Sequence, residues 1–201
     1  VAAYVAGTLV WPLHALQPTI TAEEFAVQPA AAAAAPWPEV GSAAVAIAGI
    51  PGSSASTTDR TAMASIAKVV TALVVLDDLP LALGEQGPQY RFTGSDRARM
   101  LQLGASGESV LPVPVGGTLT QYQLLQGMLI GSAGNYAERL VANLYPSSAI
   151  YARAANTWLA RHGVRDITIV DQSGIGQGNT ATPEALLRLA ELALANPVIA
   201  E

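Results

Sequence analysis

The 201-residue sequence contains no cysteine and little charge. Without cysteine, neither a disulfide scaffold nor a thiolate metal site is available to the chain. Only two histidines occur, far apart and with no carboxylate cluster at ligand spacing, so we expect no metal ion and no other cofactor. Charged residues make up 12% of the chain, the net charge is -5, and no basic patch with interleaved aromatics is present. This composition argues against a nucleic-acid partner.

The apolar run at the N-terminus is too short to span a bilayer, which takes about 20 residues. Residues 1–13 are almost without charge, with Trp11 near their end, where an aromatic side chain would lie at a membrane interface. Residues 28–40 are rich in alanine and proline, which is typical of a semi-rigid linker. We therefore predict that residues 1–27 are the end of a membrane anchor or signal segment and that residues 41–201 form the domain. The alternative for the first segment is a helix of the domain itself.

Lysine is almost absent, since Lys68 is the only one in the chain. It lies three residues after Ser65, where a polar segment gives way to a strongly apolar helical run. Residues three apart share a helix face, so the two side chains can touch near the positive end of the helix dipole. Burial and that field disfavour the ammonium form, and a neutral lysine can take the proton of a serine hydroxyl. The pattern predicts a serine nucleophile that needs no histidine. The alternative is a helix-capping serine followed by a surface lysine.

Two further motifs follow in order. A leucine-rich helical pattern runs into Ser132, and residues 171–175 read Asp-Gln-Ser-Gly-Ile before another helix start. Together with Ser65 and Lys68, this ordered set resembles the serine D-alanyl-D-alanine carboxypeptidases, the low-molecular-mass penicillin-binding proteins, over about residues 41–201. The resemblance implies an α/β (α+β) fold of the β-lactamase/transpeptidase type, in which a helical cluster packs against an antiparallel sheet.

The sequence departs from that family's pattern in two places. The Ser-x-Asn motif reads Ser132, Ala133 and Gly134 here, with Asn135 one place late. Either Asn135 takes the role through a local bulge, or Gly134 leaves the position empty. The family's Lys-Thr-Gly or His-Thr-Gly strand does not occur after Ser132, so we interpret the chain as an incomplete copy that lacks its C-terminal strands. In the family that strand holds the substrate carboxylate, and we therefore expect no turnover from the chain alone.

The resemblance implies a three-residue catalytic group. Ser65 would be the nucleophile, Lys68 its general base, and Ser132 the group that passes the proton to the leaving amine. Ser65 would attack the carbonyl between the two terminal D-alanines of a peptidoglycan stem peptide, and water would hydrolyse the acyl-enzyme. A β-lactam would acylate Ser65 in the same way and leave slowly. The implied location is extracytoplasmic, in the cell envelope, with the protein either membrane-anchored or secreted.

The resemblance also implies four positions that bind substrate. Asn135 would donate its side-chain amide to the substrate carbonyl, with a simple turn residue as the alternative. Gly134 is the position where the family places that asparagine. Ser173 and Gly174 would lie beside the cleft, where they can equally serve to shape a turn.

Two other functions stay open. The altered Ser-x-Asn motif and the missing Lys-Thr-Gly strand suit a non-catalytic cell-wall-binding relative. A serine β-lactamase of related fold needs a glutamate placed to activate a deacylating water, and no Glu-x-x-Leu-Asn pattern occurs between Ser132 and Ile175. We rank the carboxypeptidase first, the non-catalytic relative second and the β-lactamase third.

Helix and strand signals place these motifs in a coarse order. Residues 42–50 and the Pro-Gly pair after them predict a strand and the start of a hairpin. Capping residues, apolar periodicity and terminating prolines or glycines predict five helices, which begin at about Ser65, Thr120, Ser132, Pro146 and Thr182.

Overall fold

The computed structural model describes residues 1–12 and 35–201. The chain divides into two compact units, Val1–Pro36 and Trp37–Glu201. Within residues 1–12 and 35–201, every helix is too short or too polar to serve as a membrane span. Residues 13–27 of the predicted anchor or signal segment and residues 28–34 of the predicted linker lie outside the described residues, so that division remains a prediction.

The larger unit combines helices with short antiparallel strands, as predicted. In chain order the described elements are α1 (Ala2–Leu9), β1 (Ala44–Ala46), β2 (Ser53–Ala55), β3 (Thr61–Ala62), a 3₁₀ turn (Ala64–Ile66), α2 (Ala67–Asp78), β4 (Gln89–Arg91), α3 (Gly94–Ala105), β5 (Thr118–Thr120), α4 (Gln121–Ile130), α5 (Gly134–Ala142), α6 (Ser148–Arg161), β6 (Ile167–Thr168), β7 (Thr180–Ala181), α7 (Pro183–Ala195) and α8 (Pro197–Ala200).

Helix α2 forms the centre of the larger unit because it is apolar on nearly every side. Nine of its twelve residues are buried, and a helix that is hydrophobic all round must be covered by other elements. One side packs on α6, α7 and the β6–β7 strands through Val70, Val74, Tyr151, Trp158, Ile167 and Leu189. The other side packs on α4, α5 and β4 through Val75, Leu76, Tyr90, Leu124, Met128 and Leu140. The N-terminus of α2 is thereby held in a fixed position.

Three of the five predicted helix starts have side-chain caps, at Thr120, Ser147 and Thr182. The Thr120 hydroxyl accepts from the Gln123 N–H at 3.2 Å, and the Thr182 hydroxyl accepts from the Ala185 N–H at 3.2 Å. The predicted hairpin after residue 42 is confirmed as well, with β1 and β2 antiparallel and Val45 opposite Ser54. Helix α3 was not predicted, because only Leu103 of its residues is buried and no apolar stripe marks it.

A three-stranded antiparallel sheet, in the order β3-β7-β6, holds the segment that precedes Ser65. Thr61 pairs with Ala181, and Ile167 pairs with the same residue from the other side. One residue beyond β3, the Met63 N–H donates to the Asn179 carbonyl at 2.9 Å. This pairing brings the segment before Ser65 against the segment between β6 and β7, although more than a hundred residues separate them.

Candidate active site

Ser65 lies in the 3₁₀ turn that leads into α2. Its side chain is exposed, whereas Lys68, in the first turn of the α-helix, is only 5% exposed. The residue before the serine, Ala64, has a φ of 45°. A non-glycine residue in this left-handed region is strained by its Cβ, and such strain persists only where surrounding structure imposes it. The chain therefore forms a sharp, imposed turn immediately before the candidate nucleophile.

The Lys68 amine lies within hydrogen-bond distance of the Ser65 hydroxyl. Its Nζ is 3.0 Å from Ser65 Oγ and donates to the Ser173 carbonyl at 2.6 Å. Burial lowers the pKa of Lys68 below its ordinary value, although the nearby charges of Glu108 and Asp171 act in the opposite direction. Burial thus favours the neutral amine, which is the form that can accept the serine proton.

Ser132, which is distant in the sequence, also contacts the Ser65 hydroxyl oxygen. Its hydroxyl donates to Ser65 Oγ at 2.9 Å. It occupies the short link between α4 and α5 and has a φ of 53°. Within the part of the chain that the structure describes, Ala64 and Ser132 are the only non-glycine residues with positive φ. Both strained positions border the Ser65 hydroxyl, as expected for a site whose geometry is imposed by the fold.

The segment between β6 and β7 forms a tight turn around Asp171. Oδ1 of Asp171 accepts from the backbone N–H groups of Ser173 at 2.8 Å and Gly174 at 2.6 Å. Oδ2 accepts from the Gly176 N–H at 2.8 Å and from the Asn179 side chain at 2.7 Å. Burial alone would raise the pKa of Asp171, but these donors lower it on balance. The carboxylate organises the turn and has little capacity left for other chemistry.

The Asp171 turn packs against Lys68 and against the backbone of the candidate nucleophile. Ser173 offers its carbonyl to Lys68, and its hydroxyl donates to Asp171 Oδ1 at 3.2 Å. Gly174 has a φ of 84°, and a Cβ there would overlap the Ala64 carbonyl oxygen and lie 3.1 Å from the Ser65 nitrogen. Only glycine allows the turn to approach the backbone of residues 64–65 so closely. Both residues are next to the site, and the contacts they make here hold its shape.

Asn135 is held by the loop after α3. Its side chain is 6% exposed and pairs in both directions with the backbone of Leu111, accepting from the N–H at 3.0 Å and donating to the carbonyl at 2.8 Å. No bulge carries it into the cleft, because α5 starts regularly at Gly134. Asn135 therefore anchors the loop that contains Leu111, and a role in binding the substrate carbonyl does not fit these contacts.

The Glu108 side chain, which the sequence analysis did not single out, lies against Gly134. A Cβ on Gly134 would overlap Glu108 Oε2 and lie 3.0 Å from its carboxyl carbon. Burial raises the pKa of Glu108 and the charge of Glu138 adds to the rise, while the charge of Lys68 and the Ser173 side chain lower it in part. Glu108 belongs to the loop after α3, 24 residues before Ser132 and outside every motif. No local pattern could have identified it, because only the tertiary fold brings it here.

The arrangement can support attack by serine on an acyl carbon. A buried amine is placed to accept the Ser65 proton, and a second hydroxyl is placed to receive and pass on a proton. Three of the seven residues singled out from the sequence meet at one oxygen: Ser65, Lys68 and Ser132.

Comparison with known proteins finds similarity among solved structures. No protein-family model and no curated protein sequence matches the chain. Among solved structures, a D-alanyl-D-alanine carboxypeptidase from Mycobacterium tuberculosis H37Rv has a TM-score of 0.59 and 25% identity, over 73% of this chain and 52% of that one. The Streptomyces K15 DD-transpeptidase has a TM-score of 0.59 and 23% identity, over 70% of this chain and 54% of that one.

A penicillin-binding protein homolog from Mycobacterium tuberculosis is similar at a TM-score of 0.58 and 23% identity, over 74% of this chain and 52% of that one. The resemblance drawn from the motifs is therefore confirmed at the level of the fold. The chain spans about half the length of these solved structures.

Proposed function

We propose that this chain carries the nucleophile half of a serine-type D-alanyl-D-alanine carboxypeptidase. The observation that carries the proposal is the meeting of Lys68 Nζ and Ser132 Oγ at Ser65 Oγ, at 3.0 and 2.9 Å. That constellation lies on a fold shared with a D-alanyl-D-alanine carboxypeptidase and a DD-transpeptidase. The substrate would be a peptidoglycan stem peptide, and β-lactams would act as inhibitors. The protein would work outside the cytoplasm, in the cell envelope.

The proposed acylation transfers a proton from Ser65 to the departing amine by way of Lys68 and Ser132. Neutral Lys68 takes the proton of Ser65 as Oγ bonds to the carbonyl carbon between the two D-alanines. Ser132 then delivers its hydroxyl proton to the departing amine and takes the proton held by Lys68 in its place, the amide bond breaks, and the last D-alanine leaves. Water attacks the remaining ester and restores the serine. The backbone N–H of Ser65 would be one donor to the oxyanion.

A fluorescent penicillin tests the nucleophile. We expect covalent labelling of the full-length protein at Ser65, shown by intact-mass and peptide mass spectrometry, and no labelling of Ser65→Ala. Ser54→Ala removes an exposed serine of β2 and should leave labelling unchanged. Lys68→Arg should slow acylation on the order of 10²-fold or more, because an arginine stays protonated and cannot act as a base. An adduct on another residue, or none on the wild-type protein, would rule the assignment out.

The second candidate is a non-catalytic relative that binds cell-wall peptides. It is favoured by the commitment of Asn135 to the backbone of Leu111, which removes the expected amide donor from the cleft. Release of D-alanine from a synthetic stem peptide separates the two functions. Turnover that disappears in Ser65→Ala supports the carboxypeptidase, whereas peptide binding without release at any pH supports the non-catalytic relative.

A further inference from the structure

The loop after α3 brings a carboxyl group to the nucleophile that none of the motifs accounts for. Glu108 lies against Gly134, which follows Ser132 by two residues, and the Gly134 N–H donates to the neighbouring Ser109 carbonyl at 2.8 Å. Because glycine has no side chain, the Glu108 carboxyl group occupies the volume that a residue at position 134 would fill. The loop is thus fixed against the start of α5 by a backbone hydrogen bond as well as by shape.

The charge of the same carboxyl group acts on Lys68. The charge of Glu108 is the largest influence that favours the ammonium form of Lys68, and that of Asp171 is the next. The Ser173 side chain lowers the pKa of Glu108 in part, and the carbonyl of that serine accepts from Lys68. Glu108 therefore lies between two parts of the site already described, the Ser132 link and the Ser173 turn.

One oxygen of this group is left without a partner. Within residues 1–12 and 35–201, Glu108 Oε2 is buried and makes no hydrogen bond. The charged groups around Glu108 are Lys68 on α2, Arg99 on α3, Glu138 on α5 and Asp171 in the turn before β7. Arg99 is already paired with Glu138 at 2.6 Å. Lys68 is thus the remaining cation of this group for the Glu108 carboxylate.

We propose that Glu108 is a positioning residue that acts through Lys68, filling the place left by Gly134 and stabilising the ammonium that forms when Lys68 accepts the Ser65 proton. The catalytic meaning of this role depends on the proposed function. As Ser65 Oγ bonds to the acyl carbon, its proton moves to Lys68 Nζ, and the positive charge created there faces the negative charge of Glu108. The carboxylate raises the proton affinity of the base at the moment the base is used.

The single lysine makes a direct test available. In the 201-residue chain labelled with [¹³C,¹⁵N]lysine, one side-chain signal reports the titration of Lys68. We expect Glu108→Gln, which keeps the shape and removes the charge, to lower the Lys68 titration midpoint by about one pH unit. Glu191→Gln removes the same charge from an exposed position on α7 and should leave the midpoint unchanged. An unchanged midpoint in Glu108→Gln overturns the proposal, because a merely space-filling glutamate predicts that result.

Penicillin acylation gives the second arm and separates this inference from the proposed function. In Glu108→Gln the rising limb of the acylation rate against pH should move to lower pH, and the maximal rate should fall roughly three- to tenfold, since the base is weaker. A shifted midpoint without acylation of the full-length wild-type protein keeps the Glu108–Lys68 coupling and refutes the proposed function. Wild-type acylation with no change in either profile keeps the proposed function and refutes the role of Glu108.

Discussion

Two loops border the candidate nucleophile, and each brings one carboxyl group to it. In the Asp171 turn (residues 170–179), the carboxylate accepts five hydrogen bonds. In the Glu108 loop (residues 106–117), Oε2 has no partner among the described residues. Burial acts to raise the pKa of both groups, yet the donors lower the pKa of Asp171 on balance, while that of Glu108 stays raised.

The difference shows how the same burial serves two purposes. A carboxylate surrounded by N–H donors is stable as an anion, so it can shape a backbone turn. A carboxyl group with too few donors stays responsive to the charge beside it. Asp171 therefore belongs to the scaffold of the site, whereas Glu108 can respond to the protonation of Lys68. The predictions below test this contrast, beginning with the largest expected effect.

Gly174→Ala should be the most damaging change in the Asp171 turn. A Cβ would overlap the Ala64 carbonyl oxygen and lie 2.5 Å from its carbonyl carbon. Backbone atoms cannot move aside as a side chain can, so we expect a loss of about 4 kcal/mol in the free energy of unfolding. Urea denaturation measures it. Gly163→Ala is the control: its φ is 75° and its Cβ would meet nothing within 4 Å. The steric account fails if both variants unfold at the same urea concentration.

Asp171→Asn should cost about 2–3 kcal/mol, because the new amide N–H group would face the Gly176 N–H or the Asn179 amide and leave buried donors unsatisfied. The pKa of Asp171 is lowered in the folded state, so its contribution is present above the unfolded pKa and is lost as pH falls through the folded one. The gap between wild type and variant should therefore shrink between pH 7 and pH 2.

The control for this comparison is Asp59→Asn, which changes an exposed aspartate outside the turn and should alter stability by less than about 0.5 kcal/mol. Free energies of unfolding at several pH values measure both variants. A gap for Asp171→Asn that is small at pH 7, or that is the same at every pH, would show that the carboxylate is not what holds the turn.

Gly134→Ala tests whether the Glu108 loop accommodates an added methyl group at a smaller loss of stability than the Asp171 turn does. The new methyl group would overlap Glu108 Oε2, which is the end of a flexible side chain, so we expect a loss of about 2 kcal/mol. In a Glu108→Ala background the same change should cost less than about 0.5 kcal/mol, since the obstructing atom is gone. A double-mutant cycle of unfolding free energies measures the coupling. Additive effects would place the carboxyl group elsewhere.

Glu108→Gln should have the smallest effect on stability, and in the opposite direction. The folded-state pKa of Glu108 is raised, so the favourable contribution of the acid is present below the unfolded pKa and is lost as pH rises through the folded one. We expect the variant to gain up to about 1 kcal/mol over wild type at pH 8, because the group is partly exposed to screening solvent, and nothing at pH 4. Thermal unfolding at both pH values measures the gain. A variant less stable than wild type at pH 8 would mean that attraction to Lys68 outweighs burial.

Much of the fold follows from local patterns. Three of the five predicted helices begin after a capping hydroxyl, at Thr120, Ser147 and Thr182, and each hydroxyl accepts from the N–H of the third residue beyond it. Helix α3 was not predicted because a helix with one buried residue has no apolar stripe. The capping box of Thr93 and Asp96 was a sequence signal for its start. More than half of the predicted anchor and of the predicted linker falls in residues 13–34, outside the described residues, so both remain predictions.

The site divides in the same way. Ser65 and Lys68 were identifiable because a helix places residues three apart on one face, and this relation needs no tertiary contact. Packing between α2, α4, α5 and the loop after α3 determines the remaining contacts of the site. It brings Ser132 to the Ser65 hydroxyl, Asn135 to the backbone of Leu111, and Glu108 into the space beside Gly134. Sequence determines which side chains are neighbours within a helical turn. Only the tertiary structure determines which distant residue supplies a missing atom, because that depends on where the loops lie once the core around α2 has formed.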